Sequence, residues 1–162
     1  MNTGKTSNIV GVRIDELTFH NDRRGWLAEL FRFDEIGHFP VMAYISETLP
    51  DTSRGPHEHH HQTDMFVFLG PGDMQLCLWD NRPKSKTFCN KIDIRIGGSK
   101  PCRVLVPPGV VHGYRNISAH RSLVFNAPDK LFAGRNRSVE IDEIRHEDNP
   151  DTPYRFDVAL HD

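Results

Sequence analysis

At 162 residues with a formal net charge of −2, the chain has the length of one domain and lacks the basic excess that would hold nucleic acid or a membrane surface. Hydrophobic residues make up 37% of it, enough for a core without disulfide staples. No apolar run approaches the ~18 residues of a membrane span, and the opening Met1–Asn8 has no apolar signal core.

Residues 1–7 are polar and predict a flexible start to a single domain spanning 1–162. The turn residues Asn21–Gly25 then lead into an extended run over Trp26–Phe33, and a short helical turn is predicted around Phe33–Gly37. Further extended runs follow at Val41–Thr48, Asp64–Leu69, Met74–Trp79, Ile92–Ile96, Val104–Val106, Gly113–Ile117 and Leu123–Asn126. Between them stand Pro50-Asp51, Gly70–Asp73, Asn81–Pro83, Gly97-Gly98 and Pro107–Gly109. Short strands at this cadence predict an all-β antiparallel sandwich or barrel. Cys77, Cys89 and Cys102 show no C-x-x-C spacing and read as small hydrophobes of a cytoplasmic protein. The polar tail over 146–162 is expected to wrap the surface.

The run Asp64–Leu69 is apolar on its even and odd positions alike, which predicts cover on both faces. The interior would supply one cover, and a second layer or a subunit partner the other. Asp64 opens this run on the side of Phe66 and Phe68, where a carboxylate is costly unless paired or metal-bound.

The chemistry concentrates in Arg54–Asp64 and in Val106–His112. His57 and His59 share one face of an extended strand, because side chains alternate with period two. Asp64 lies five residues on, and His112 comes from a distant strand. Three imidazoles and a carboxylate meeting at one point make either a divalent-metal site or an acid/base cluster for proton transfer. His60 and His61 read as solvated neighbours at the strand end.

The pattern H-x-H-x4-D with P-x-G-x2-H-x3-N at Pro107–Asn116 resembles the two motifs of the cupin superfamily, which implies a jelly roll (double-stranded β-helix). That resemblance implies His57, His59, Asp64 and His112 as ligands of a divalent metal such as zinc, nickel, iron or manganese, with no organic cofactor. Glutamate is usual where Asp64 stands. Other segments are similar to the dTDP-4-dehydrorhamnose 3,5-epimerases. They are Asp22–Phe31 for D-x-R-G-x-x-x-E-x-F, Arg54–His57 for R-G-L-H, Asp80–Phe88 for D-x-R-x2-S-x-T-F, and Val106–Tyr114 for I-P-P-G-F-A-H-G-F.

This second resemblance implies an isomerase that removes protons next to the 4-keto group of a dTDP-4-keto-6-deoxy sugar, in a homodimer. It implies His57 as the base, Arg54 as a diphosphate contact, Arg24 and Glu29 as nucleotide contacts reaching in part across the dimer interface, and His112 in the pocket wall. The family's lysine and tyrosine positions are Asp64 and Phe125 here, and the aspartate that supports the base is expected to fall beyond the chain. Three other readings remain. His57 and His59 resemble the base and acid of a metal-free ketoisomerase; the ligand set also suits a metal-dependent oxygenase; the altered positions suit a non-catalytic binding protein.

Overall fold

The structure, a computed structural model, describes residues 5–6 and 8–157. Of the predicted flexible start only Lys5–Thr6 falls among these, and it forms the first strand; residues 158–162 of the predicted tail fall outside. In chain order the strands are β1 (Lys5–Thr6), β2 (Arg13–Glu16), β3 (Phe19–Asp22), β4 (Gly25–Ala28), β5 (Tyr44–Thr48), β6 (Ser53–Glu58), β7 (Asp64–Pro71), β8 (Asp73–Asp80), β9 (Lys91–Gly97), β10 (Cys102–Val106), β11 (Val110–Asn116), β12 (Ser122–Asn126) and β13 (Ile144–Arg145). A one-turn helix α1 (Phe33–Ile36) ends at Gly37, whose φ of 66° is left-handed. No helix among the described residues is long and apolar enough to cross a membrane.

Two antiparallel sheets face each other as a jelly roll. One has the order β1-β2-β10-β7-β12-β5 and the other β13-β6-β11-β8-β9. Alternation decides what each strand offers the space between them. Phe66 and Phe68 of β7 meet Met74, Leu76 and Leu78 of β8, with Val104, Val106 and Val124, in one buried cluster. The odd positions of β8 turn outward, and there the tail covers them: Tyr154 and Phe156 pack on Cys77, Trp79 and Val111.

The second face of β7 is also closed, but by this chain itself. Met65 and Val67 have no exposed surface. The segment after β4 runs over that side of the sheet: Arg103 of β10, opposite Val67, donates to the Leu30 carbonyl and pairs with Asp15 at 2.9 Å. Further along, buried His38 reaches the Ala127 carbonyl at 2.7 Å. The apolar double face of β7 is therefore a demand met within the chain, not a sign of a subunit partner. The same segment explains why the extended run predicted over Trp26–Phe33 stops at Ala28, where the chain leaves its hairpin.

The D-x-R-x2-S-x-T-F run closes the turn between β8 and β9. Buried Asp80 accepts from Ser85 Oγ and Thr87 Oγ1 at 2.6 Å each and from Arg82 Nε at 2.7 Å, while Arg82 Nη2 reaches the Val10 carbonyl. Burial alone would raise the Asp80 carboxyl, but these donors hold it far below the ordinary range. The motif thus ties a loop to the N-terminal segment.

Candidate active site

A cavity of about 1480 Å³ opens between the sheets at the end where β6 ends and β7 begins. Residues converge here from opposite walls: His57, His59 and Asp64 line the cavity, whereas His112, expected in the pocket wall, is buried beside His57 and is not among the lining residues. His57 lies on β6 and His59 one residue past its end; His112 lies on β11, paired in register with His57; Asp64 opens β7 on the other sheet. Gly55 allows this closeness. Its φ is 72°, and a Cβ there would stand 2.6 Å from the His112 carbonyl, so only glycine lets β6 approach β11 at this point. The His57 and His112 rings consequently lie 4.4 Å apart, and the His57–His59 and His59–His112 centroids are 5.6 and 5.8 Å apart.

Each of the three imidazoles presents one nitrogen within 4.8 Å of the others. Asp64 is buried, with Oδ2 3.1 Å from His59 Nε2 and 3.5 Å from His112 Nε2. Its Oδ1 accepts from Asn126 Nδ2 at 2.8 Å and from Gln62 Nε2 at 3.0 Å. His59 Nδ1 donates to the Asp142 carbonyl and His112 Nδ1 to the Val110 carbonyl. Those bonds place a proton on each Nδ1 and turn both Nε2 atoms toward Asp64. Burial opposes charge on His59, but Asp64 outweighs it and raises that imidazole. Burial would raise Asp64; His59, His112 and Asn126 bring it down to about 2. His57 is pushed down to about 2 by burial and by the adjacent His112 and His59, so it stands neutral.

The site also contains residues that motif matching did not single out. Asp142 receives three backbone N–H groups, from His60 at 2.8 Å, His61 at 2.9 Å and Gln62 at 3.0 Å, besides holding His59 through its carbonyl. Glu143 and Glu147 each bring a carboxylate oxygen within 4.8 Å of a His57 nitrogen. Carboxylates near His57 are thus supplied by the segment after the expected strands, although the resemblance put the supporting acid beyond the chain. A polar stretch around a two-residue strand carries no periodicity that could have announced this.

Arg54 lies on the cavity wall, with Nη2 on the Glu47 carbonyl at 2.8 Å. His61 also lines the cavity, and His60 is exposed beside it. Arg24 and Glu29 are not among the lining residues. Arg24 pairs with Asp22 at the tip of the β3–β4 hairpin, and Glu29 with Arg32, both in solvent. Chemically, the floor offers a neutral imidazole beside carboxylates and a set of buried donors converging on one point.

The model of the family described as dTDP-4-dehydrorhamnose 3,5-epimerase matches residues 6–147. The spore coat polysaccharide biosynthesis protein SpsL of Bacillus subtilis is 38% identical over 109 residues, covering 66% of this chain and 71% of that protein. The "Probable low-salt glycan biosynthesis epimerase Agl13" of Haloferax volcanii is 33% identical over 128 residues, covering 77% and 81%. Among solved structures, a dTDP sugar isomerase from Desulfovibrio desulfuricans superposes with a TM-score of 0.77 at 23% identity, over 91% of this chain and 92% of that one.

Proposed function

The chain belongs to the dTDP-4-dehydrorhamnose 3,5-epimerase family, and on that premise we propose that its cavity takes a dTDP-4-keto-6-deoxy sugar and removes a proton next to the keto group. His57 is the base. The observation that carries this reading is His57 lining the cavity with Glu143 and Glu147 beside it and Arg54 on the same wall. Taking up the sugar proton makes an imidazolium, which Glu143 and Glu147 are near enough to stabilise. The Arg54 guanidinium suits a diphosphate because its planar fork matches phosphate oxygens.

The donor set also fits a divalent metal. Asp64 Oδ2 and His112 Nε2 are buried without a hydrogen-bond partner, a costly state that an ion would relieve. Donors ~2.1 Å from one ion stand about 3.0–3.4 Å apart, close to the 3.1 and 3.5 Å from Asp64 to the two imidazoles. His59, His112 and Asp64 would hold it. His57, which presents a nitrogen within 4.8 Å of the other two imidazoles, must stay off the ion to act as the base. A metal bound there would supply a Lewis acid for an enolate oxygen where the family has lysine.

The assembly is read as a homodimer. Strand β5 is an open sheet edge, Ile45 on it is 66% exposed and Leu123 of β12 is exposed beside it. The hairpin that carries Arg24 would then reach a second copy's cavity. The free cysteines suit the cytoplasm, and the two relatives suggest that the product is destined for a surface glycan.

The test is incubation with dTDP-4-keto-6-deoxyglucose in D2O. Deuterium should enter C3 or C5 with wild type and not with His57→Asn; wild type without exchange, metal supplied, ends the reading. Elemental analysis of purified protein decides the metal. His57→Asn should keep the wild-type content, and Asp64→Asn or His112→Asn should lose it. Metal-free wild type with full activity would instead favour the His57/His59 pair as base and acid.

A further inference from the structure

Three adjacent strands of the six-stranded sheet carry a hydrogen-bonded row that ends in a phenol. Asp64 on β7 accepts at Oδ1 from Asn126 Nδ2 of β12 at 2.8 Å, and the same nitrogen lies 2.9 Å from Tyr44 Oη on β5. The direction of these bonds follows from charge. A carboxylate only accepts, so the Asn126 amide must turn its nitrogen, not its oxygen, toward Asp64. An amide nitrogen has two protons; with one on Asp64, the other falls on the Tyr44 oxygen. The cost of that orientation is visible, since Asn126 Oδ1 is buried with no partner.

Tyr44 Oη therefore receives a hydrogen bond, and no acceptor among the described residues takes its own proton. Tyr44 lines the cavity together with His57. The two come from opposite walls, Tyr44 from the sheet of β7 and β12, His57 from the sheet of β11.

We propose that Tyr44 is the proton donor facing His57 across the cavity, with Asn126 and Asp64 as the positioning residues that aim it. This rests on the epimerase reading of the site. Inverting a carbon next to a ketone requires removal of a proton from one face and return of a proton to the other. His57 takes the C–H proton, the bond pair becomes the C=C of the enolate, and the carbonyl π pair moves to oxygen. The enolate then takes the Tyr44 O–H proton on its opposite face. Its C=C pair forms the new C–H bond and the C=O is restored. The phenolate left behind keeps the Asn126 N–H and regains a proton from solvent, to which the His57 imidazolium loses its own.

The experiment separates exchange from inversion. With dTDP-4-keto-6-deoxyglucose in D2O, exchange into unconverted sugar needs only the base, because the base can return a solvent-derived proton to the face it came from. Inversion needs the donor as well. Tyr44→Phe should bind dTDP as wild type does, keep exchange within about threefold, and lose inversion by about 100-fold or more, the range of one positioned acid. If Tyr44→Phe impairs dTDP binding, Asn126→Ala, which keeps the phenol and removes its amide donor, is read in the same assay and should lower inversion relative to exchange.

Rescue by 3-fluorotyrosine at position 44 should restore inversion. Inversion within about threefold of wild type in Tyr44→Phe, or parallel loss of exchange and inversion in the variant read, overturns the assignment. Wild type that neither exchanges nor inverts overturns the epimerase reading and this inference with it.

Discussion

At the scale of single residues, the site depends on how closely two strands approach. Gly55 has no side chain to keep β6 away from the His112 carbonyl, and its left-handed φ suits no other residue well. Gly55→Ala should destabilise the protein by ~2 kcal/mol or more, from the unfavourable φ alone. By the usual scaling for a chain of this size, the melting temperature should drop by about 4 °C or more. Activity should fall further than stability explains, because His57 is two residues away on the same strand. Differential scanning calorimetry beside the exchange assay checks both; a variant as stable and active as wild type removes the argument for this glycine. Asp64 makes a related point. Its presence was legible as a carboxylate at an apolar mouth, yet Gln62 and Asn126, which share its oxygens, were not legible as partners.

At the scale of elements, the β8–β9 turn is held by one carboxylate. Asp80→Asn removes the charge that Arg82, Ser85 and Thr87 surround, and should cost about 3 kcal/mol, since breaking a buried charged pair is worth that much. The pH dependence has a definite sign. The folded carboxyl titrates below its unfolded value of ~3.9, so its contribution is complete above about pH 4 and is lost as pH falls toward the folded value. The gap between wild type and Asp80→Asn in urea midpoint should be widest near neutrality and narrow in acid. A constant gap down to pH 2.5 would mean that Asp80 acts by shape alone (about 1.4 units below the ordinary carboxylate value). The sequence announced this run as a family motif; its role as a loop clasp appeared only when the donors were seen around Asp80.

At the scale of the whole molecule, the apolar surfaces sort into those the chain covers itself and those it leaves open. Met65 and Val67 belong to the first kind, Ile45 and Leu123 to the second. Wild type should sediment as a dimer and Ile45→Lys as a monomer that still melts cooperatively, because a charge on an open edge strand opposes pairing. A monomeric wild type would end the dimer reading and leave Arg24 without a second cavity to reach.

The sequence by itself determined most strands of the two sheets, through alternation and turn residues that act over a few positions, but not β1, β2, β3 or β13. It also determined which residue types could carry the chemistry: His57, His59, Asp64, His112 and Arg54. The tertiary structure decided which side chains meet. Glu143 beside His57, the Asp142 carbonyl on His59, and the Asp64–Asn126–Tyr44 row all join segments far apart in the chain. Such meetings depend on sheet order and register, which no local pattern encodes. The closure of β7 by the chain's own Leu30–His38 segment was decided in the same way, because burial is a property of what folds over a strand and not of the strand.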